Sequence, residues 1–404
     1  MSGSLVVRAG LALCPSGVSL RAPWVWIRGG VIAGLGEGAP PGEAADAPVV
    51  EARECVLVPG LVNAHTHLAL TATGGRLAPT PDFWGWIVAL IDLWRATTEE
   101  ERTRGLAEGL RLSLEAGTTA LLDFFAVMPL PPTPVRVRQA EELFAFELGQ
   151  TAPRMAQWVS RGSPYAAPHA VYSTTAELIE MVADQVRRQR GVLTIHLSET
   201  EEENQLWQIG RSDGADRYFA HIGVDRSGWQ HPRCSPAQYL ARLSALDAHT
   251  LLVHCNHLSE GDIELIARSG ARVCVCPATH RFFSHPPHPL PRLLEAGVPV
   301  CLGTDSLASS PSLSMWDQAR IVAETHPWLA WQTLLAMITS SGAQALRLGE
   351  GHGTLRPGAV ADLVLATPEE PLASVERQPR RLFDGAIRID TVMIAGQRVG
   401  PAEA

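Results

Sequence analysis

Eight short apolar runs recur along the middle of the chain, most of them separated by stretches with helical spacing. They are VLVPGLVNAH (56–65), TTALLDF (118–124), LFAFEL (143–148), PYAAPH (164–169), VLTIHL (192–197), TLLVH (250–254), RVCVCP (272–277) and VPVCLGTD (298–305). Runs this short read as buried strands. Helices are legible between them: over 98–117, over 174–190 with Thr174 or Thr175 as cap, and over 259–270 with Ser259 at its start and Gly270 at its stop. Strands alternating with helices favour a parallel sheet. Eight such strands close an α/β (β/α)8 TIM barrel. Two inter-strand stretches are unusually long, the Trp-rich 68–100 and 200–245, and insertions at the C-terminal face of a barrel shape the substrate pocket.

The two ends are patterned differently. SLVVRAGLAL and WVWIRGGVIAGLG near the start are strand-like runs broken by Gly turns, followed by the linker GEGAPPGEAADAP. GTLRPGAVADLVLA and DTVMIAGQRVG near the end repeat that style. The expected organisation is a small β-sandwich built from residues 1–55 and 351–404, flanking a barrel over 56–350.

Charge narrows the chemistry. The formal net charge is −9, and all 33 basic residues are Arg, because the chain contains no Lys. There is therefore no Schiff-base lysine, no P-loop lysine, no pyridoxal anchor and no lysine carbamate to bridge two metals. An acidic balance without a basic stripe argues against nucleic acid or an anionic membrane as partner. No apolar run reaches the roughly 18 residues of a membrane span. The N-terminus has one Arg before a short apolar stretch and no convincing cleavage site, so it reads as a first strand and the protein as cytoplasmic. The seven cysteines are scattered mostly inside apolar runs with no C-x-x-C pair, which reads as reduced core thiols.

The polar candidates sit at strand ends. His65 and His67 follow the first barrel run two residues apart, and the strand period puts both on one face. His196 ends the fifth run, His254 the sixth and Asp305 the eighth. An isolated H-x-H in a loop is more often a pair of surface histidines than ligands, but several strand ends agreeing points to a metal site. Neutral imidazoles with one carboxylate suit one divalent ion, Zn²⁺ first and Fe²⁺, Mn²⁺ or Ni²⁺ as alternatives, with a position left for an activated water. Glu199, three residues beyond His196, is placed for acid–base work, although a first-turn helix acid is the plain alternative. His254 has an alternative as a core histidine and Asp305 as a cap. His221, His231, His249, His285, His288, His326 and His352 read as surface residues, with His257 and His280 intermediate.

These strings resemble the amidohydrolase superfamily: PGLVNAHTHL (59–68), EAGTTALLDF (115–124), APHAVYS (167–173), IHLSETEEE (195–203), LVHCNHLSEGDIELIARSGARVCVCP (252–277) and EAGVPVCLGTDSLAS (295–309). Within it they resemble the mononuclear aminohydrolases that act on aromatic bases. The resemblance implies His65, His67, His196 and Asp305 as metal ligands. It implies Glu199 as proton donor to the ring nitrogen, His254 as the group that orients and deprotonates the water, and Asp305 as proton carrier to the leaving amine. It places His169 against the substrate ring or its attached group. The absence of Lys fits a one-metal branch. Ser306 and the Phe83/Trp86 pair resemble aminodeoxyfutalosine deaminases, and His280 departs from the usual string after the seventh strand. Arg76 and Arg281 are candidates for a substrate carboxylate. The implied activity is hydrolytic removal of an exocyclic amino group from a purine-like ring, with ammonia released, on a small heteroaromatic substrate and compatibly with a homodimer. The alternatives are guanine-deaminase-like or triazine-hydrolase-like cleavage of another C–N or C–Cl bond, and a metal-binding homologue without turnover.

Overall fold

The computed structural model describes residues 3–125 and 128–400. Five strands come first: β1 (Ser4–Leu13), β2 (Ser19–Arg21), β3 (Trp24–Arg28), β4 (Val31–Gly36) and β5 (Val49–Pro59). Eight parallel strands follow: β6 (Leu61–Thr66), β7 (Thr118–Phe125), β8 (Arg136–Leu143), β9 (Tyr165–Pro168), β10 (Val192–Leu197), β11 (Thr250–His254), β12 (Arg272–Val275) and β13 (Val300–Leu302). β14 (Leu363–Pro368), β15 (Ile387–Ile394) and β16 (Gln397–Gly400) complete the chain.

Strands β6 to β13 pair in sequence order. The circle closes where the amides of Thr304 and Asp305 donate to the His65 carbonyl at 3.0 and 3.1 Å and Thr66 bridges Asp305. The result is the expected barrel of the TIM type. The first and last groups of strands form one mixed sheet, ordered β16-β15-β14-β5-β1-β3-β4 with β2 paired to β1. It curls so that Ile32 on β4 donates to the Ala359 carbonyl, 2.8 Å away, just before β14. A separate apolar core including Val7, Val25, Ile27, Leu57, Leu363 and Met393 is enclosed there. Both chain ends build it, as their shared pattern implies.

Two strand readings need correction. The run 56–65 is two strands divided at Gly60: β5 pairs with β1 and β14 in the terminal sheet, and β6 opens the barrel. A Cβ on Gly60 would lie 2.3 Å from Thr119 Oγ1, so the crossing from one sheet to the other requires glycine. The third barrel strand is Arg136–Leu143, not 143–148. Its polar side chains find partners that hydrophobic patterning does not anticipate: Glu141 with Arg161 at 2.9 Å and Arg136 with Asp362. Phe144, the residue after it, lines the cavity described below.

The long stretch 68–100 folds as α1 (Phe83–Ala96), whose N-cap Asp82 accepts from the Gly85 amide. A second helix, α2 (Glu99–Glu115), starts with a Thr98/Glu101 capping box. Thr175 and Ser259 cap their helices as expected, and Gly270 ends one in the left-handed conformation. Among the described residues no helix is long and apolar enough to cross a membrane.

Asp362 ties the sheet to the barrel. Its carboxylate accepts from Arg136 Nε and Nη2 at 3.1 and 3.2 Å and from the Ala395 amide at 2.7 Å. Asp362→Ala leaves those donors unpaired and is expected to cost about 2–4 kcal/mol in urea unfolding. A loss below about 0.5 kcal/mol, the range of an ordinary surface change, counts against this role.

Candidate active site

The closing seam of the barrel carries the site. Asn63, buried on β6, donates to Thr304 Oγ1 at 2.7 Å, and its Oδ1 accepts the Thr304 amide. Thr66 Oγ1 donates to the Asp305 carbonyl at 2.9 Å. These bonds lock β6 and the turn after β13 together, so His65, His67 and Asp305 have no freedom to separate. Asp305 itself has φ +56, a left-handed conformation that turns its side chain back over the barrel mouth.

The ring of His65 lies 4.8 Å from that of His67, 5.1 Å from His196 and 5.9 Å from His254, centroid to centroid. His65 Nε2 and His67 Nε2 stand 3.6 and 3.5 Å from the same Asp305 oxygen, Oδ1. Those separations are too long for hydrogen bonds. They match two atoms bound to a common ion: ligands about 2.1 Å from a tetrahedral centre lie about 3.4 Å apart. Neither ring nitrogen of His65, fully buried, has a hydrogen-bond partner. Ligand atoms of His65, His67 and Asp305, and of His65, His196 and His254, fall within 4.8 Å of one another. The residues therefore fit a divalent ion.

Protonation favours the same reading. Burial holds His65, His67 and His254 well below the ordinary histidine value and His196 down to about 4, leaving neutral imidazoles with lone pairs to give. His196 Nδ1 sits 3.0 Å from the His169 carbonyl, which can only accept. The proton is therefore on Nδ1 and Nε2 is free to ligate. Burial would raise Asp305, but the imidazoles of His67, His254 and His196 outweigh it and hold the carboxyl below its ordinary value. Ser309 donates to its second oxygen at 3.2 Å. Glu199 goes the other way. Burial, then the charges of Asp305 and Glu203, push it well above the ordinary range. Its Oε1 lies 3.6 Å from His254 Nε2.

His67, His196, Glu199, His254 and Asp305 line one cavity of about 210 Å³. Phe83, Trp86, Ile87, Leu90, Ile91 and Trp94 of α1 give it an apolar wall, and Glu142, Phe144, His169, Tyr172, Tyr218 and Ser306 also line it. His169 stacks on Phe144 at 4.6 Å, and its Nδ1 meets Ser173 Oγ at 2.6 Å.

A family model described as the amidohydrolase family matches residues 56–399. The chain belongs to the amidohydrolase family. Among its relatives, a 5-methylthioadenosine/S-adenosylhomocysteine deaminase of Desulforudis audaxviator is 30% identical, over 90% of this chain and 85% of its own. One of the same description from Pyrococcus furiosus is 24% identical over 98% and 94%. Among solved structures, a Xanthomonas campestris adenosine deaminase with bound zinc is 25% identical with a TM-score of 0.72, covering 98% of this chain and 92% of that one. The Helicobacter pylori aminofutalosine deaminase shares the fold at a TM-score of 0.83 and 19% identity, over 98% and 99%.

Of the residues that sequence singled out in this amidohydrolase, the structure brings together His65, His67, His169, His196, Glu199, His254, Asp305, Phe83, Trp86 and Ser306. Arg76 and His280 are not among them. The Gly74-Gly75 turn carries Arg76 into a separate open cleft shared with Arg281. His280 leaves the barrel on the short helix Pro277–Phe282, with Nε2 2.9 Å from the Pro286 carbonyl, facing another cavity. His288 is no surface residue either: its Nε2 is 2.9 Å from the His254 carbonyl. Sequence reasoning missed Glu142, whose carboxyl lies 3.6 Å from His169 Nε2 and is pushed up to about 8 by burial and the nearby Asp123 and Asp305. Only the correct placement of β8 would have put it at a strand end.

His65→Ala removes the imidazole at the centre of the cluster. Expected is a drop of about 10- to 100-fold or more in metal affinity, read by elemental analysis and by competition with a chromophoric chelator. Retained stoichiometric metal of unchanged affinity would contradict the assignment.

Proposed function

We propose that this protein is a metal-dependent hydrolytic deaminase that removes the exocyclic amino group of adenine nucleoside derivatives and releases ammonia. One observation carries the reading: Glu199, pushed above the ordinary carboxyl range by burial and 3.6 Å from His254, converges with His67, His196 and Asp305 on one largely apolar cavity. Relatives that match between 81% and 98% of the chain are described as deaminases of methylthioadenosine, S-adenosylhomocysteine and 5′-deoxyadenosine, which supports the substrate class.

His65, His67, His196 and Asp305 would hold the ion, and zinc suits this nitrogen-rich set. When bound, the ion supplies Lewis-acid lowering of a water pKa toward 7. The protein residues do the rest. His254 orients the water toward the amino-bearing ring carbon and takes up its proton. As the ring carbon goes tetrahedral, charge builds on the adjacent ring nitrogen, and the protonated Glu199 delivers a proton there. The ionised Asp305 takes the remaining proton of the added hydroxyl and passes it to the departing amine, which leaves as ammonia while the ring keeps the water oxygen as a carbonyl; the proton held by His254 returns to Glu199, 3.6 Å away, and restores both groups. The apolar wall of α1 excludes bulk water and offers its ring faces to a flat base.

Metal-loaded protein should release ammonia from a panel of adenosine, 5′-deoxyadenosine, methylthioadenosine, S-adenosylhomocysteine and aminofutalosine, with the absorbance change of adenine to hypoxanthine chemistry. Ammonia from none of these, together with chloride from a chlorotriazine or ring opening of a lactam, would overturn the deaminase reading. Glu199→Gln keeps the shape and loses the proton, so kcat should fall about 10²- to 10⁴-fold with metal content unchanged. In the parent protein kcat/KM should decline as pH rises through the elevated Glu199 value, because the protonated form is the active one. Activity within a few-fold of the parent in the Gln variant would remove Glu199 from the mechanism.

A further inference from the structure

The segment after β12 reads HRFFSHPPHPLP and carries three histidines that the mechanism above does not use. One of them reaches the site from behind. His288 Nε2 lies 2.9 Å from the main-chain carbonyl of His254. A carbonyl only accepts, so Nε2 carries the hydrogen and His288 is the donor. Its other nitrogen, Nδ1, is buried without a partner, which the unprotonated form of that atom tolerates better than an N–H would.

The carbonyl it holds belongs to an unusual stretch of backbone. His254 and Cys255 have φ of +71 and +54, two successive non-glycine residues in the left-handed region at the end of β11. Such a conformation persists only where its surroundings over-determine it. On one side the Cys255 amide donates to the Leu197 carbonyl of β10 at 3.0 Å. On the other side the His288 ring takes the His254 carbonyl. The clamp is itself stiff, since Pro286 and Pro287 precede His288 and Pro289 follows it, and Leu290 beyond them is buried at the start of the helix Leu290–Glu295. Turning the His254 carbonyl would turn its Cα–Cβ bond, and with it the imidazole that faces Glu199 at 3.6 Å and His196 at a 5.3 Å centroid distance.

We infer that His288 is a positioning residue: its hydrogen bond to the His254 carbonyl fixes the left-handed turn that aims the His254 imidazole at the reacting water. This rests on the assignment of His254 as the group that orients and deprotonates that water.

The length of the side chain provides the test. Gln places an amide N–H where His Nε2 lies, whereas Asn stops at the level of Nδ1 and cannot reach the carbonyl. His288→Asn should lower kcat about 10- to 100-fold, as loss of a partner that orients an active group does, with KM within about threefold and metal content unchanged. His288→Gln should recover most of the loss. In the His254→Asn background, His288→Asn should add less than about twofold, because the first change removes the group through which the second acts. Three results would overturn the inference: kcat within about twofold of the parent in His288→Asn, a loss that Gln does not repair, or an undiminished effect in the His254→Asn background. If His288→Asn fails to fold, the Gln variant still decides, since it must be both folded and active. Activity of His254→Asn near that of the parent would instead sink the reading of His254, a separate failure.

Discussion

The site depends on a constraint of closure. A parallel barrel must join its last strand to its first, and here that seam is made by Thr304 and Asp305 amides on the His65 carbonyl, reinforced by Asn63 and Thr66. The same few residues that complete the hydrogen-bond circle carry His65, His67 and Asp305. Lone pairs of imidazoles and a carboxylate crowded within 4.8 Å repel one another or leave polar atoms unsatisfied unless a cation gathers them. The backbone energy of barrel closure holds them there in advance. The architecture thus preorganises the donor set, and binding an ion does not require the strands to be rearranged.

Strain is distributed in the same way. Ser198, His254, Cys255 and Asp305 all have positive φ without being glycine, and all lie within two residues of a group assigned to the chemistry. A strand running straight would send its next side chain across the barrel wall. A left-handed residue at the strand end breaks that alternation and turns the following side chains over the mouth. Each such residue is unfavourable by itself. Neighbouring hydrogen bonds, such as those from Cys255 to Leu197 and from His257 to Ser198, hold the turns in place.

Much of this was legible in the chain. His65, His196, His254 and Asp305 are visible because each lies at the end of an apolar run, with His67 two residues beyond the first, and an apolar run ending in a polar residue is what a buried strand with a functional end looks like. The third strand was not legible by that rule. RVRQAEEL carries charges whose partners, Asp362 and Arg161, come from distant parts of the chain, so burial there leaves no apolar signature and Glu142 went unnoticed. His288 was hidden for the converse reason. A histidine among prolines has the composition of a surface loop, and only the packing of that loop under β11 makes it a donor to His254. Arg76 misled because a cation near a Trp-rich insertion suggests a substrate contact, whereas two glycines before it redirect the chain into another cleft.

The number of ions the site takes follows from tautomers as much as from ligand count. Glu142, His169 and His196 also approach within 4.8 Å of one another, which on distance alone would suggest a second ion beside the first. His196 cannot serve both. Its Nδ1 is committed as a donor to the His169 carbonyl, leaving only Nε2, and a neutral imidazole nitrogen has one lone pair. His169 is likewise engaged through Nδ1 with Ser173 and stacked on Phe144. A bridging lysine carbamate, the usual means of holding two ions together, has no lysine to form on anywhere in the chain. The His196 ring shared by both clusters can therefore give its one free lone pair to a single ion at most, and the Glu142–His169 pair adds polar atoms to the same cavity.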